Sequence, residues 1–299
     1  MDSVQTLEVP GYQVLQFLGS GGCSTIWRIR DSQTTVVYAL KRVVKRHAGD
    51  GRFLEQALNE YEVASQLDHP SLRKTISIRR IKQWLSLREL HLIMEICEGQ
   101  TVQDKRPTSI IEILNIFSQV AAGLVYMNAQ GFVHADMKPN NIVVASDGTV
   151  KIIDLGQSCR LGTVKARIQG TPDFIAPEQV HRRPLDARTD VFNFGASLYW
   201  TLAGKAIPTV LPKHNGSTLL SDLAATPLER INPAVPAALS KLVSDCIEMA
   251  PSRRPASMGE VSGRVGLILT KLTRDETRAN GNGKANGNGD RGGENGIGK

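Results

Sequence analysis

The stretch His134-Ala135-Asp136-Met137-Lys138-Pro139-Asn140-Asn141, followed by Asp154-Leu155-Gly156, decides how this chain is read. It sets two carboxylates, an amide and an ammonium group on one loop and one strand end, with Asp154 eighteen residues after Asp136. A carboxylate beside Lys138 suits a hydroxyl nucleophile, whose proton must be accepted while phosphoryl charge is neutralised. Asp154 and Asn141 are oxygen donors of the kind Mg²⁺ takes together with phosphate oxygens. The plain alternative is a polar turn between a buried helix and a hairpin. The elements on either side weigh against it.

Working outward, residues 110–128 carry a broad apolar face (Ile113, Leu114, Phe117, Val120, Ala121, Leu124, Val125) that predicts a helix, with Gly131 as its stop. Residues 142–144 and 150–153 read as a hairpin around Ser146-Asp147-Gly148. From Asp190 onward helices dominate. Upstream, residues 12–18 alternate as a strand until Ser20, Gly21 and Gly22 break them, and residues 25–29 and 36–43 read as two further strands. Residues 53–67 repeat apolar side chains at helical spacing (Leu54, Ala57, Leu58, Tyr61, Ala64, Leu67), and two short strands follow, the second at 90–96. No internal repeat is visible.

Two upstream motifs complete the picture. Gly19-Ser20-Gly21-Gly22-Cys23-Ser24-Thr25-Ile26 joins two strands, and glycines there let backbone N–H groups approach a phosphate. Alone it is equally a hairpin turn. In Tyr38-Ala39-Leu40-Lys41, the alternation of a strand puts Ala39 and Lys41 on one face. A small residue beside a Lys admits a flat ring and lets the ammonium reach its phosphates. Glu60, nineteen residues later on the amphipathic helix, is a natural partner for that Lys.

Composition bounds the rest. The chain has 299 residues, 41% of them hydrophobic and 22% charged, enough to bury a sizeable core. Cys23, Cys97, Cys159 and Cys246 lie far apart without a C-x-x-C pair, which excludes a disulfide framework and a zinc ribbon and fits a reducing, cytoplasmic setting. The N-terminus shows no signal peptide. The longest strongly apolar stretch, 191–203, is too short to span a bilayer. Residues 275–299 are rich in Gly and Asn and predict a flexible tail, whose charges cancel, so the net charge of +7 belongs to residues 1–274. Basic charge raises nucleic acid as a partner, yet no reading motif supports it.

Taken in order, these motifs resemble a eukaryotic-type protein kinase from about Tyr12 to Leu272. The resemblance extends to Gly170-Thr171-Pro172, Ala176-Pro177-Glu178, Asp190-Val191-Phe192-Asn193-Phe194-Gly195 and Arg254-Pro255. It implies an α+β, bilobal protein-kinase-like fold: a β-rich N-lobe at 1–98, a mainly helical C-lobe at 99–274 and the tail at 275–299. It implies ATP and Mg²⁺ as cofactors and Ser/Thr-bearing proteins as substrates. Gly19, Ser20, Gly21, Gly22, Ser24 and Ile26 would cover the nucleotide. Lys41 would hold the α- and β-phosphates and pair with Glu60. Ala39, Ile26 and Val143 would sandwich the adenine, Met94 would be the gatekeeper, and the backbone of Glu95 and Cys97 would bind it at the hinge. Asp136 would be the base, Lys138 would steady the transferring phosphate, and Asn141 and Asp154 would hold the metal. The Asp-x-Lys-Pro-x-Asn loop is similar to that of Ser/Thr rather than Tyr kinases, and the layout resembles bacterial members of the eukaryotic type.

The departures are informative. Ser24 replaces a glycine, with at most a mild change expected, and Leu155 replaces the usual Phe with another apolar residue; neither puts activity in doubt. Ala135 stands where the family has an Arg that pairs with a phosphorylated activation segment, and Arg167 lies four residues before Thr171, where the phosphate acceptor often sits. The sequence therefore predicts activity without activation-segment phosphorylation, with Ser158, Thr163 and Thr171 as the phosphosites to check. Arg160, Lys165 and Arg167 suggest either a preference for acidic substrates or a solvated loop. Arg73, Lys74, Arg79, Arg80, Lys82 and Arg88 form a second basic group that could dock a partner or nucleic acid, but with Trp84 its one interleaved aromatic it reads rather as a solvated face. Cys23 and Cys159 are candidates for redox sensitivity only if exposed near cations. A pseudokinase scaffold, a small-molecule phosphotransferase and a nucleic-acid binder are the competing classes. The intact set Lys41, Glu60, Asp136, Asn141 and Asp154 argues against the first, and Gly-Thr-Pro with Ala-Pro-Glu against the second.

Overall fold

A computed structural model describes residues 7–208 and 225–285. The N-terminal lobe is a five-stranded antiparallel sheet of β1 (Tyr12–Gly21), β2 (Ser24–Asp31), β3 (Val37–Val44), β4 (Thr75–Gln83) and β5 (Ser86–Glu95), in the order β1-β2-β3-β5-β4. The pair expected to be short, β4 and β5, run nine and ten residues and form a long hairpin. Register places Ala39 opposite Met94 and Lys41 opposite Leu92. One helix, α1 (Gly51–Ala64), packs on the sheet through Leu54 and Ala57, while Val63 and Ala64 join the core of the helical lobe. Glu60 follows Ala57 by three and precedes Ala64 by four, so helical geometry turns its carboxylate onto the buried face.

The C-terminal lobe is built on α2 (Ile110–Ala129) and α4 (Ala187–Ala203). Ser109 caps α2, its hydroxyl accepting from the Glu112 N–H at 3.4 Å, and Gly131 beyond its end takes φ +82°. By length and composition α2 would also suit a membrane span, and it exceeds the apolar stretch singled out at 191–203. Here it is the lobe's core helix, packed on α4 and α7 through Phe117, Val120, Ala121 and Leu124. Asp186 caps α4, which is buried along nearly its whole length and ends at Gly204 in the left-handed conformation. β6 (Gln100–Thr101) precedes α2, and between α2 and α4 lie β7 (Phe132–Val133), β8 (Ile142–Val144), β9 (Val150–Ile152), β10 (Cys159–Arg160) and α3 (Pro177–Val180). β6, β8 and β9 form a small sheet and β10 pairs with β7. The lobe closes with α5 (Leu228–Ile231), α6 (Ala237–Cys246) and α7 (Met258–Ala285). The bilobal α+β architecture is the one expected.

The predicted tail needs correction. Helix α7 continues to Ala285, eleven residues into the stretch read as flexible, and 286–299 lie outside the described residues. Val261 and Val265 bury the start of α7 in the core, and once a helix is nucleated each further residue adds a hydrogen bond at little cost. Thr270, Thr273 and Thr277 also donate to carbonyls four residues back. Apolar content, the signal used for the tail, does not register such propagation.

The meeting of α4 and α6 allows no side chain at Gly195, where a Cβ would lie 2.4 Å from the Cβ of Cys246. Gly195→Ala is expected to lower stability by roughly 1–3 kcal/mol despite alanine's better helix propensity, read from the denaturant midpoint at unchanged m-value.

Candidate active site

A cleft of about 390 Å³ opens between the lobes. Gly19, Ser20, Gly21, Ser24 and Ile26 line one wall, Ala39 and Lys41 the roof, Glu95 and Cys97 the back, and Asn141, Val143 and Asp154 the floor. Two of the expected residues lie elsewhere. Gly22 sits at the turn of the β1–β2 hairpin, where a Cβ would meet the Phe53 ring at 3.6 Å. Met94 is fully buried behind the cleft in the cluster beneath α1. Leu18, Ile96, Ile153 and Arg73 line the cleft without having been expected there. The first three are apolar and indistinguishable in sequence from core residues.

Arg73 is the important omission. Its sequence neighbours place it on a solvated basic face, but its side chain is only 12% exposed and its Nη2 donates to Glu60 Oε1 at 2.5 Å. Lys41 Nζ donates to the other oxygen, Oε2, at 2.6 Å. Glu60 itself is 1% exposed, so each oxygen of one buried carboxylate faces its own cation. Burial pulls the Lys41 ammonium down, but Glu60 and Asp154 outweigh it and hold it above its ordinary value. The same cations act on Asp154. Burial pushes that carboxyl up, yet Lys41, the Gly156 N–H and Arg73 bring it down to about 2. Asn59 Nδ2 donates to the carbonyls of Gly156 and Ser158 at 3.1 and 2.8 Å, tying α1 to the turn after Asp154. Leu155 is buried in the C-lobe core.

The loop carrying Asp136 is shaped through its main chain. The fully buried Asp190 accepts from the backbone N–H of His134 and of Ala135, both at 3.0 Å, and from Asn128 Nδ2 at 2.8 Å. Ala135 takes φ +60°, and its carbonyl accepts from Gln179 Nε2 at 2.7 Å. Asn141 Nδ2 donates to the Asp136 carbonyl at 2.9 Å. At the Asp136 carboxylate, Lys138 Nζ donates to Oδ2 at 2.9 Å, and the Thr171 hydroxyl donates to Oδ1 at 2.9 Å while accepting from Lys138 Nζ at 2.7 Å. Burial pushes the Asp136 carboxyl above its ordinary value, against the pull of Lys138. Glu178 forms a two-point ion pair with Arg254 at 2.7 and 3.0 Å that anchors α3 to the helical lobe.

The activation-segment residues are more enclosed than expected. Arg160 Nη2 donates to Gln66 at 2.6 Å and its guanidinium lies 4.0 Å over the Phe132 ring, while Lys165 Nζ donates to the Gln157 carbonyl at 2.8 Å. Arg167 donates through Nε and Nη2 to the Gln169 side-chain oxygen at 3.1 and 3.2 Å, so all three cations bind their own chain. The hydroxyl of Ser158 is buried and donates to the His134 carbonyl, which removes it as an accessible phosphosite in this conformation. Thr163 and Thr171 are both partly exposed, and the Thr171 hydroxyl is occupied between Asp136 and Lys138. Cys159 is buried with its thiol pushed up by that burial, and Cys23 is likewise raised, so neither is an activated thiolate.

Among the described residues, no cluster of three His, Cys, Asp or Glu could hold a metal. Asn141 and Asp154, side by side on the cleft floor, instead supply two oxygen donors and leave room for phosphate oxygens, the donor set Mg²⁺ favours.

The protein kinase domain family model matches residues 12–262. Sperm motility kinase 2B of Mus musculus is 33% identical over 201 residues, 65% of this chain and 40% of the mouse protein. A "Probable serine/threonine-protein kinase" of Clostridium acetobutylicum is 24% identical over 280 residues, 89% of this chain and 41% of that protein. Serine/threonine-protein kinase PLK4 of Xenopus laevis is 27% identical over 202 residues, 65% of this chain and 21% of the frog protein. The chain thus spans about two fifths or less of these relatives' length. With the match covering most of the chain and the cleft, loop and anchors in place, the chain belongs to the protein kinase family.

Proposed function

We propose that this chain transfers the γ-phosphate of ATP to Ser or Thr hydroxyls of proteins, with Mg²⁺, and needs no phosphate on its activation segment. The observation that carries the reading is the hydroxyl of Thr171, which donates to Asp136 and accepts from Lys138. A carboxylate and an ammonium already gripping one aliphatic hydroxyl form a site for another from a substrate. In the transfer, the substrate oxygen bonds to the γ-phosphorus as the bond from that phosphorus to the β–γ bridging oxygen breaks, and ADP departs. Asp136 takes the hydroxyl proton, and Lys138 offsets charge on the moving phosphoryl group. Lys41, aimed by Glu60, holds the remaining phosphates, and the glycine-rich turn excludes water above them. Mg²⁺, held by Asn141 and Asp154, would neutralise the phosphate oxygens. The four free thiols suit the reducing cytoplasm, where we place the protein.

Independence from phosphorylation rests on how the site is held. Ala135 offers no guanidinium to a phosphate, and its main-chain groups are engaged by Asp190 and Gln179. Arg73 and Asn59 fix α1 from within the chain.

Incubated with labelled ATP, Mg²⁺ and a generic Ser/Thr protein substrate, phosphatase-treated protein is expected to retain full transfer and Asp136→Asn to lose at least about a hundredfold. Equal labelling by Asp136→Asn would end the kinase reading. Loss on phosphatase treatment would end only its unregulated part. The acid limb of kcat/KM is expected to fall with a slope of one proton, at a pH above the ordinary aspartate value. As pH drops, the raised Asp136 is protonated first, while Asp154 stays ionised down to about 2. A two-proton slope would contradict this assignment.

A further inference from the structure

β4 and β5 are joined through two residues, Trp84 and Leu85, which are 94% and 98% exposed, more than any other large apolar side chain among the described residues. Trp84 adopts φ +56°, at the first central position of a two-residue hairpin turn where glycine is the comfortable choice. A bulky ring is thus held in a strained backbone and offered entirely to solvent. The feature lies apart from the cleft, since no β4 residue lines it.

The charge around the tip is one-sided. Arg79, Arg80 and Lys82 precede it and Arg88 follows it, with no acidic residue from 79 to 88. The next carboxylate, Glu89, is taken up by Arg42 at 2.6 and 2.8 Å and by His91. Strand geometry places Lys82 and Arg88 roughly 7 and 10 Å behind the tip. That matches the depth of about 5–10 Å to which apolar side chains enter a lipid interface.

We propose that this hairpin tip docks on an anionic phospholipid surface. Trp84 and Leu85 enter the interfacial layer while Arg80, Lys82 and Arg88 meet the lipid phosphates. A convex pair of apolar side chains needs a matching pocket on a protein partner, whereas a bilayer interface takes a knob of this shape. Indole favours that interface, and each nearby cation is attracted to an anionic leaflet. Phosphates of a nucleic acid would satisfy the cations and the indole, but they give Leu85 nothing apolar to enter. The inference stands independently of the phosphotransfer reading.

The test is co-sedimentation of the whole chain with vesicles of phosphatidylcholine alone and of phosphatidylcholine mixed with phosphatidylglycerol. Binding is expected to the mixed vesicles only, to weaken with salt, and to come with a blue shift of tryptophan emission. Trp84→Ser combined with Leu85→Ser should cut it about tenfold or more with phosphate transfer unchanged. Lys82→Glu combined with Arg88→Glu should also release the protein while leaving the tip in place. Failure of the unaltered chain to bind, binding equal for both vesicle types, or full binding by the double serine variant would overturn the proposal. So would tip-dependent binding to duplex DNA or RNA in place of vesicles.

Discussion

The carboxylate of Glu60 lies on the apolar face of α1, sealed from solvent, with Lys41 on one oxygen and Arg73 on the other. Helical periodicity leaves it no other place, and a buried carboxylate without a partner is untenable. Two cations on different oxygens fix not only the distance between α1 and β3 but also the rotation of the helix. Stripping such a charge of its partners costs about 3–5 kcal/mol. The position of Lys41 in the cleft, and the ionised state of Asp154 beneath it, follow from the same cluster.

The catalytic loop is held by a different device. Asp190, buried in α4, receives two main-chain N–H groups of the loop, and Gln179 donates to the Ala135 carbonyl just beyond them. The side chain at position 135 is therefore not needed to set the loop, although its backbone takes a left-handed turn that side-chain-bearing residues rarely adopt. The Glu178–Arg254 pair secures the far end of the activation segment. Each half of the site is thus fastened by buried charges whose partners are part of the fold.

Much of this was legible in sequence, for a physical reason. Lys41, Glu60, Asp136, Asn141 and Asp154 are marked by the order and spacing of polar motifs between periodic elements, an order that resembles the protein kinase family. Strands and helices followed from their own periods. What escaped notice belonged to no such motif. Leu18, Ile96 and Ile153 read as ordinary core. Arg73 follows Leu72 and precedes Lys74, so it reads as one more surface cation, and only the turn of the chain after α1 points it inward. Ser158 and Cys159 sit in a segment whose polarity suggests exposure, yet both are buried, Cys159 where β10 pairs with β7 and Ser158 against the His134 carbonyl. The extension of α7 depended on helix propagation, which apolar counting ignores.

The clamp on α1 is made of the chain's own side chains, Lys41 and Arg73 on Glu60 and Asn59 on the turn after Asp154. The most direct measurement is amide hydrogen exchange along α1 in phosphatase-treated protein, compared with Arg73→Met. The account predicts strong protection of α1 in the unaltered chain and exchange at least about tenfold faster in Arg73→Met, the equivalent of some 1.4 kcal/mol of lost local stability. Equal exchange in the two proteins, or protection that arises only after phosphorylation, would contradict it.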